Sequence, residues 1–331
     1  MAGVEQITVD HDEAGMRVDR WFKAHYPGLG FGALQKLLRS GQVRVDGGRV
    51  KSDTRLQAGQ SVRVPPLATD RKSNAPLTHK TMRDRADGDL LSSMLLYEDK
   101  KVLVFNKPAS LAVQGGSGIM RSVDSMLEAW RNQKGEKPRL VHRLDRDTSG
   151  VLVVARTRGA AQKLTGAFRE RTTRKTYWAL VKGLPKPLAG RISTWMIKEQ
   201  TPDGDRMRNV RQSKEADHAI STYKVIEHVG QELAWVRMEP ETGRTHQLRV
   251  HALHMGHPII GDPKYFEADQ NWEFPGGIQN KLHLHARRIR IPHPDGGMVD
   301  VTAPLPPHMI QSWNLLGFDE GTAEKVEESE E

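Results

Sequence analysis

The sequence predicts an α+β protein in two folded units, a small N-terminal one and a large one. Three observations predict it. Residues 16–65 hold two short helical periods and a hairpin signal, residues 66–90 turn polar and charged, and helix and strand periodicities interleave across residues 91–318. A chain of 331 residues, 37% hydrophobic, can bury a core in each unit.

In the first unit Val18, Trp21 and Phe22 lie at helical spacing, as do Leu34, Leu37 and Leu38, so two short helices can share an apolar seam. The alternating run Val43-Arg44-Val45, a turn at Asp46-Gly47-Gly48 and Arg49-Val50-Lys51 then predict a hairpin, and Ser61-Val62-Arg63-Val64 a further strand. Residues 66–90 carry Pro76 and several basic residues without sustained periodicity, which predicts a flexible linker. The large unit opens on the apolar run Val102-Leu103-Val104-Phe105. Val123, Met126, Leu127 and Trp130 follow at helical spacing, then a buried strand at Val151 to Val154. Ala160, Leu164, Ala167 and Phe168 mark another helix, and the stretches 177–181, 220–226 and 233–238 read as strands. Residues 319–331 are acid-rich and predict a disordered tail.

Composition narrows the function classes. The net charge is +9, and residues 319–331 hold seven acids against Lys325 alone, so the rest of the chain carries +15. Such an excess fits a polyanionic partner, above all nucleic acid. Cysteine is absent, which excludes thiol chemistry and disulfides and fits a reducing compartment. No apolar run is long enough to cross a bilayer and the acidic N-terminus is unlike a signal peptide, so a soluble, cytoplasmic protein is expected. A phosphate-cradling Gly-Lys-Ser/Thr loop is missing, and Gly28-Leu29-Gly30 lacks the third glycine of a dinucleotide fingerprint.

The chemistry concentrates in His142-Arg143-Leu144-Asp145-Arg146-Asp147-Thr148-Ser149-Gly150, immediately before the buried strand. A carboxylate between two arginines, on a loop that drops into a core strand, sits in a cationic field and is poised for chemistry. Taken locally, Asp145 and Asp147 also suit turn and capping positions, with the arginines solvated.

This stretch resembles the catalytic motif of the large-subunit ribosomal pseudouridine synthases. Further blocks resemble that family in its order: Asn106-Lys107-Pro108 with Ala112-Val113-Gln114-Gly115-Gly116, Arg174-Lys175-Thr176-Tyr177, Thr242-Gly243-Arg244-Thr245-His246-Gln247-Leu248-Arg249-Val250-His251, and Gly256-His257-Pro258-Ile259. One departure is Gln114, where the family member most resembled usually carries histidine. The resemblance implies a mixed, largely antiparallel sheet crossed by a cleft, with the Asp145 loop in the cleft. It implies isomerisation of uridine to pseudouridine in 23S ribosomal RNA or a large-subunit assembly intermediate. The nucleotide is flipped out of its stack, because C1′, C5 and C6 are otherwise hidden.

By the same resemblance Asp145 is the carboxylate that attacks sugar or base, or removes a sugar proton. Arg249 pairs with it, and Tyr177 stacks on the detached uracil and relays the C5 proton. Taken alone, Arg249 would read as an arginine on a surface strand. Arg143 fills the gap left by the flipped base or contacts a phosphate, and His142, Arg146, Arg244 and His246 are further RNA-contact candidates. Residues 16–65 resemble an S4 RNA-binding domain, which makes Lys36, Arg39, Arg44 and Arg49 candidate RNA contacts. The reaction retains every substrate atom, so no cofactor is required. Histidines 246, 251, 254, 257, 283 and 285 invite a metal, but no acidic or cysteine partner completes a ligand pattern, and none is expected. A monomer without membrane attachment is expected. Two rival readings share the basic charge: a transfer-RNA pseudouridine synthase and a non-catalytic ribosome-assembly factor.

Overall fold

The computed structural model describes residues 3–10, 13–26, 28–67, 82–116, 119–132, 135–201, 204–266 and 276–328, which form two compact units. The N-terminal unit contains β1 (Glu5–Thr8), α1 (Val18–His25), α2 (Phe31–Arg39), β2 (Arg44–Val45), β3 (Gly48–Arg49) and β4 (Ser61–Val64). Val18, Trp21 and Phe22 of α1 and Leu34 and Leu38 of α2 bury one core with Val43, Val45 and Val62. The hairpin turn is two residues long: Asp46 (φ 48°) and Gly47 (φ 78°) are both left-handed, and Gly48 already pairs with Val45. The unit begins earlier than residue 16. β1 pairs with β4 and buries Ile7, giving the sheet order β1-β4-β2-β3.

The large unit opens with α3 (Met82–Ser93), which corrects the linker expectation for residues 82–90. Residues 68–81 of that stretch lie outside the described residues. The sequence of α3 is polar through its first turns and hides its packing. Its hold comes from Leu91, fully buried, and from Asp87, which accepts a 2.8 Å hydrogen bond from Arg121 Nε. Then follow β5 (Leu95–Glu98), β6 (Val102–Lys107), α4 (Val123–Met126) running into a 3-10 turn (Leu127–Trp130), β7 (Arg139–Leu140), β8 (Ser149–Ala155) and α5 (Arg158–Arg169). The long strands β9 (Arg174–Lys182), β10 (Ala189–Thr201), β11 (Gly204–Val210), β12 (Asp217–Val229) and β13 (Leu233–Pro240) lead to α6 (Gln247–His254). The unit closes with β14 (Leu284–Pro292), β15 (Met298–Thr302), α7 (Pro307–Leu316) and α8 (Glu320–Glu328).

Among the described residues eleven strands form one sheet, ordered β11-β10-β12-β13-β9-β14-β8-β6-β5, with β15 on β14 and β7 on β8. Every pairing is antiparallel except β8 with β14, so the mixed, largely antiparallel α+β sheet is as expected. At that parallel junction Gly150 (φ 108°) pairs with Ala286 so closely that a Cβ would stand 2.2 Å from the Ala286 carbonyl oxygen. Only glycine fits there.

The acid-rich terminus is also corrected: residues 320–328 are helical rather than disordered. The Asp319 carboxylate accepts the Gly321 N–H at 3.0 Å, Thr322 donates to Glu227 at 2.7 Å, and Ala323 and Phe318 bury against Trp235 and Trp313. Acids at the start of a helix suit its positive end, which is why an acidic composition did not prevent folding here.

Candidate active site

The Asp145 loop, the start of β9 and the segment leading into α6 enclose a cavity of about 570 Å³. Its lining includes His142, Arg143, Asp145, Lys175, Tyr177, Arg244, His246 and Arg249. Sequence-distant candidates therefore converge on one cavity. Arg146 does not line it; its guanidinium donates to the Ser110 carbonyl at 3.3 Å. Lys36, Arg39 and Arg44 are exposed on the N-terminal unit, and Arg44 is partly engaged by the carbonyls of Gly41 and Gly47.

Arg249 lies on α6, not on a strand. Residues 247–252 are all buried, so the sequence offered no amphipathic stripe from which to read a helix. The Arg249 side chain is 3% exposed and is clamped by Asp262 through two parallel 2.7 Å hydrogen bonds, Nε to Oδ2 and Nη2 to Oδ1. Burial opposes the guanidinium charge, but the hydrogen bonds and charge of Asp262 outweigh it and raise the Arg249 pKa. The clamp leaves Nη1, which stands 3.6 Å from Oδ2 of Asp145. Asp145 is thus held by charge, while its carboxylate makes no side-chain hydrogen bond among the described residues and remains 21% exposed to the cavity.

Asp262 lies outside the recognised motif blocks, three residues past the one that ends at Ile259, in a Gly-Asp-Pro turn. Gly261 (φ 70°) makes that turn, and a Cβ there would meet the Lys281 carbonyl oxygen at 2.0 Å. Oδ1 of Asp262 also accepts the N–H groups of Lys264 and Tyr265 at 2.9 and 3.1 Å, so four hydrogen bonds in all hold the carboxylate in place. The Tyr265 ring packs beneath the Arg249 guanidinium at 5.0 Å. Its hydroxyl accepts the Met207 N–H and shares a 2.8 Å hydrogen bond with Nδ1 of His246, whose Nε2 stands 3.9 Å from Asp145. Burial lowers the His246 pKa against the pull of Asp145, so that contact is polar rather than a full ion pair at neutral pH.

Tyr177 reaches the same space from β9. Burial, and next the Asp145 charge, push its hydroxyl well above the usual tyrosine range, so it stays a neutral phenol. Gln247 braces the segment that leads into α6. Its amide oxygen accepts from the Thr242 hydroxyl (2.7 Å) and the Arg244 N–H (3.0 Å), and its amide nitrogen donates to the Ile220 carbonyl and the Ser221 hydroxyl, both at 2.8 Å. These four bonds fix the 242–246 loop, where Thr245 accepts from Arg143 at 2.9 Å. Beneath the Asp145 loop the buried Lys107 ammonium donates to the carbonyls of Pro108, Leu111 and Arg146 at 2.8 to 2.9 Å. Burial lowers its pKa to about 7, opposed by Asp147 and Asp145.

Four histidines, at 142, 251, 283 and 285, serve as neutral internal connectors. His142 accepts the Val153 N–H at 2.8 Å and stacks on Phe168, His251 joins Thr194 and Ser221, His283 joins Ser312, and His285 joins Ser149. Among the described residues no three His, Asp or Glu side chains converge on a point that could hold a metal ion. Burial lowers His142 and His285 to about 3, and His251 and His283 to about 4. A depressed histidine contributes full stability above its unfolded pKa near 6.5 and loses it as pH falls toward the folded value. Each of the four is therefore expected to cost roughly 2 kcal/mol of stability between pH 7 and pH 5. Urea midpoints across that range should fall steeply, and less steeply in His285→Gln. A flat profile would contradict the buried, neutral assignment.

Residues 101–254 match the family model described as RNA pseudouridylate synthase. Over 310 residues the chain is 37% identical to the "Ribosomal large subunit pseudouridine synthase C" of Pasteurella multocida, covering 92% of each chain. This chain is an RNA pseudouridylate synthase family member. The Escherichia coli K12 protein of the same name is 37% identical over 305 residues, 91% of this chain and 93% of its own. Among solved structures, human RNA Pseudouridylate Synthase Domain Containing 4 superposes with a TM-score of 0.60 at 28% identity, covering 72% of this chain and 97% of its own. Human RNA Pseudouridylate Synthase Domain Containing 1 gives 0.51 at 29% identity, covering 64% and 83%. The family match spans the Asp145 loop, Tyr177 and Arg249, whereas Asp262 and Tyr265 lie beyond its end.

Proposed function

We propose that this RNA pseudouridylate synthase isomerises uridines of large-subunit ribosomal RNA in the cavity around Asp145. The observation that carries the reading is the Asp145 carboxylate, without a side-chain hydrogen bond among the described residues and 3.6 Å from a guanidinium locked by Asp262. A pure RNA binder gains nothing from a carboxylate facing a phosphate-rich ligand. The named relatives, similar along nine-tenths of the chain, favour ribosomal over transfer RNA.

The isomerisation breaks the N1–C1′ bond, joins C1′ to C5, removes the C5 proton and leaves a proton on N1. Asp145 supplies the anion that attacks sugar or base, or removes a sugar proton, with Arg249 orienting it. Tyr177 offers its ring face to the detached uracil. As a neutral phenol, it hands a proton on rather than holding a vacancy for one. Nothing in this balance calls for a cofactor or a metal. Among the described residues no helix is long and apolar enough to cross a membrane, which accords with an enzyme working where ribosomes are assembled. Purified protein with chelator present should convert uridine in large-subunit RNA transcripts and not in transfer RNA. Conversion of transfer RNA alone would favour the rival substrate.

The N-terminal unit, with exposed Lys36, Arg39, Arg44 and Arg49, is read as an S4-like docking module. Protein lacking residues 1–81 should keep its saturating single-turnover rate, bind RNA more weakly and show a shallower salt dependence. Each lost phosphate contact flattens the log-log slope by about 0.7 to 0.9. Unchanged affinity and slope would remove the unit from the RNA interface.

A further inference from the structure

We propose that Lys175 binds a backbone phosphate of the flipped nucleotide, and that the turn between α5 and β9 carries its neighbours along the RNA strand. The proposal rests on uridine in RNA as the substrate. Alternation along β9 puts Lys175 and Tyr177 on one face, roughly 7 Å apart, and both line the cavity. That is the length scale of one nucleotide from its base to its own phosphate. If Tyr177 supports the uracil, Lys175 stands where the charged end of the same nucleotide lies.

The Lys175 ammonium is partly buried, yet among the described residues it has neither an ion pair nor a hydrogen bond. The other buried cations of the site are satisfied: Arg249 by Asp262, Lys107 by three carbonyls. Removing a cation from water without a partner is costly, so the position has a use for an anion. Burial, and next the Arg171 guanidinium, lower its pKa to about 8, a cost that a bound phosphate would relieve. Uracil itself is neutral. The anion that uridine in RNA brings is its phosphodiester.

The turn extends the same chemistry outward. Arg169, Arg171 and Arg174 are exposed, none forms an ion pair among the described residues, and Arg169 lines the cavity. Within seven residues of sequence three exposed guanidinium groups thus accompany the Lys175 amine; Arg169 and Lys175 line the cavity, and Arg174, by alternation, lies on the opposite face of β9.

The test uses a ribosomal RNA fragment in which the wild-type protein converts a uridine. A neutral methylphosphonate replaces the phosphate on its 5′ side, its 3′ side or neither. Affinities of wild type, Lys175→Met and Lys175→Arg are measured at several salt concentrations. Wild type should lose about tenfold with one of the two neutral linkages. Lys175→Met should bind native RNA about tenfold more weakly, with a salt slope shallower by about one contact, and lose nothing further with that linkage. Lys175→Arg should retain the wild-type pattern. Insensitivity of wild type to both linkages would overturn the proposal without any variant, as would losses that multiply independently in Lys175→Met. Failure of wild type to form pseudouridine in any ribosomal fragment would instead sink the substrate reading.

Discussion

Asp145→Asn is expected to abolish pseudouridine formation while leaving fold and RNA affinity intact. The amide keeps the shape of the carboxylate and removes only its charge. Because Arg249 remains clamped by Asp262, the substitution strands no buried cation. Among the described residues Asp145 also makes no side-chain hydrogen bond that asparagine would forfeit, so stability should change by less than about 1 kcal/mol. The rate should fall by at least about a thousandfold, about 4 kcal/mol of transition-state stabilisation. Single-turnover conversion at saturating RNA reads the chemistry apart from binding. Residual activity within about tenfold of wild type would remove Asp145 from its role.

Arg249→Met should be severe in two separable ways. It leaves the fully buried Asp262 carboxylate with only the Lys264 and Tyr265 N–H groups, and an unpaired buried charge costs about 3–5 kcal/mol. It also removes the cation 3.6 Å from Asp145. Adding Asp262→Asn neutralises the stranded charge while an amide oxygen can still accept both N–H groups. The double variant should therefore regain about 2 kcal/mol over Arg249→Met and remain equally inactive. Urea denaturation and turnover are measured on the same preparations. If activity returned with stability, Arg249 would be a structural residue alone. If Arg249→Met were as stable as wild type, the buried pair would not be the support described.

Local periodicity carried much of the fold. The β6 and β8 strands each contain an apolar run, Val102 to Phe105 and Val151 to Ala155, and α5 shows Ala160, Leu164 and Ala167 on one buried face, so each could be read directly. The helix α3 and the terminal helix α8 could not be, because their sequences are polar and their stability comes from a few tertiary contacts: Leu91 and Asp87 in one, Ala323 and Thr322 in the other. The site divides similarly. Asp145, Tyr177 and Arg249 sit in motif blocks and line one cavity. Asp262 could be recognised only once the turn at Gly261 carried it beneath α6, and Lys175 only once β9 set it beside Tyr177 without a partner. Pairings between residues distant in sequence leave no trace in spacing.

The decisive measurement for Asp145 as the catalytic carboxylate is a pseudouridine map of ribosomal and transfer RNA, from cells lacking this gene and from the same cells restored with wild type or Asp145→Asn. Specific uridines of large-subunit ribosomal RNA should stay unmodified in the deleted strain, be modified again by wild type and remain unmodified with Asp145→Asn. Restoration by the asparagine variant, or losses confined to transfer RNA, would contradict that role and that substrate.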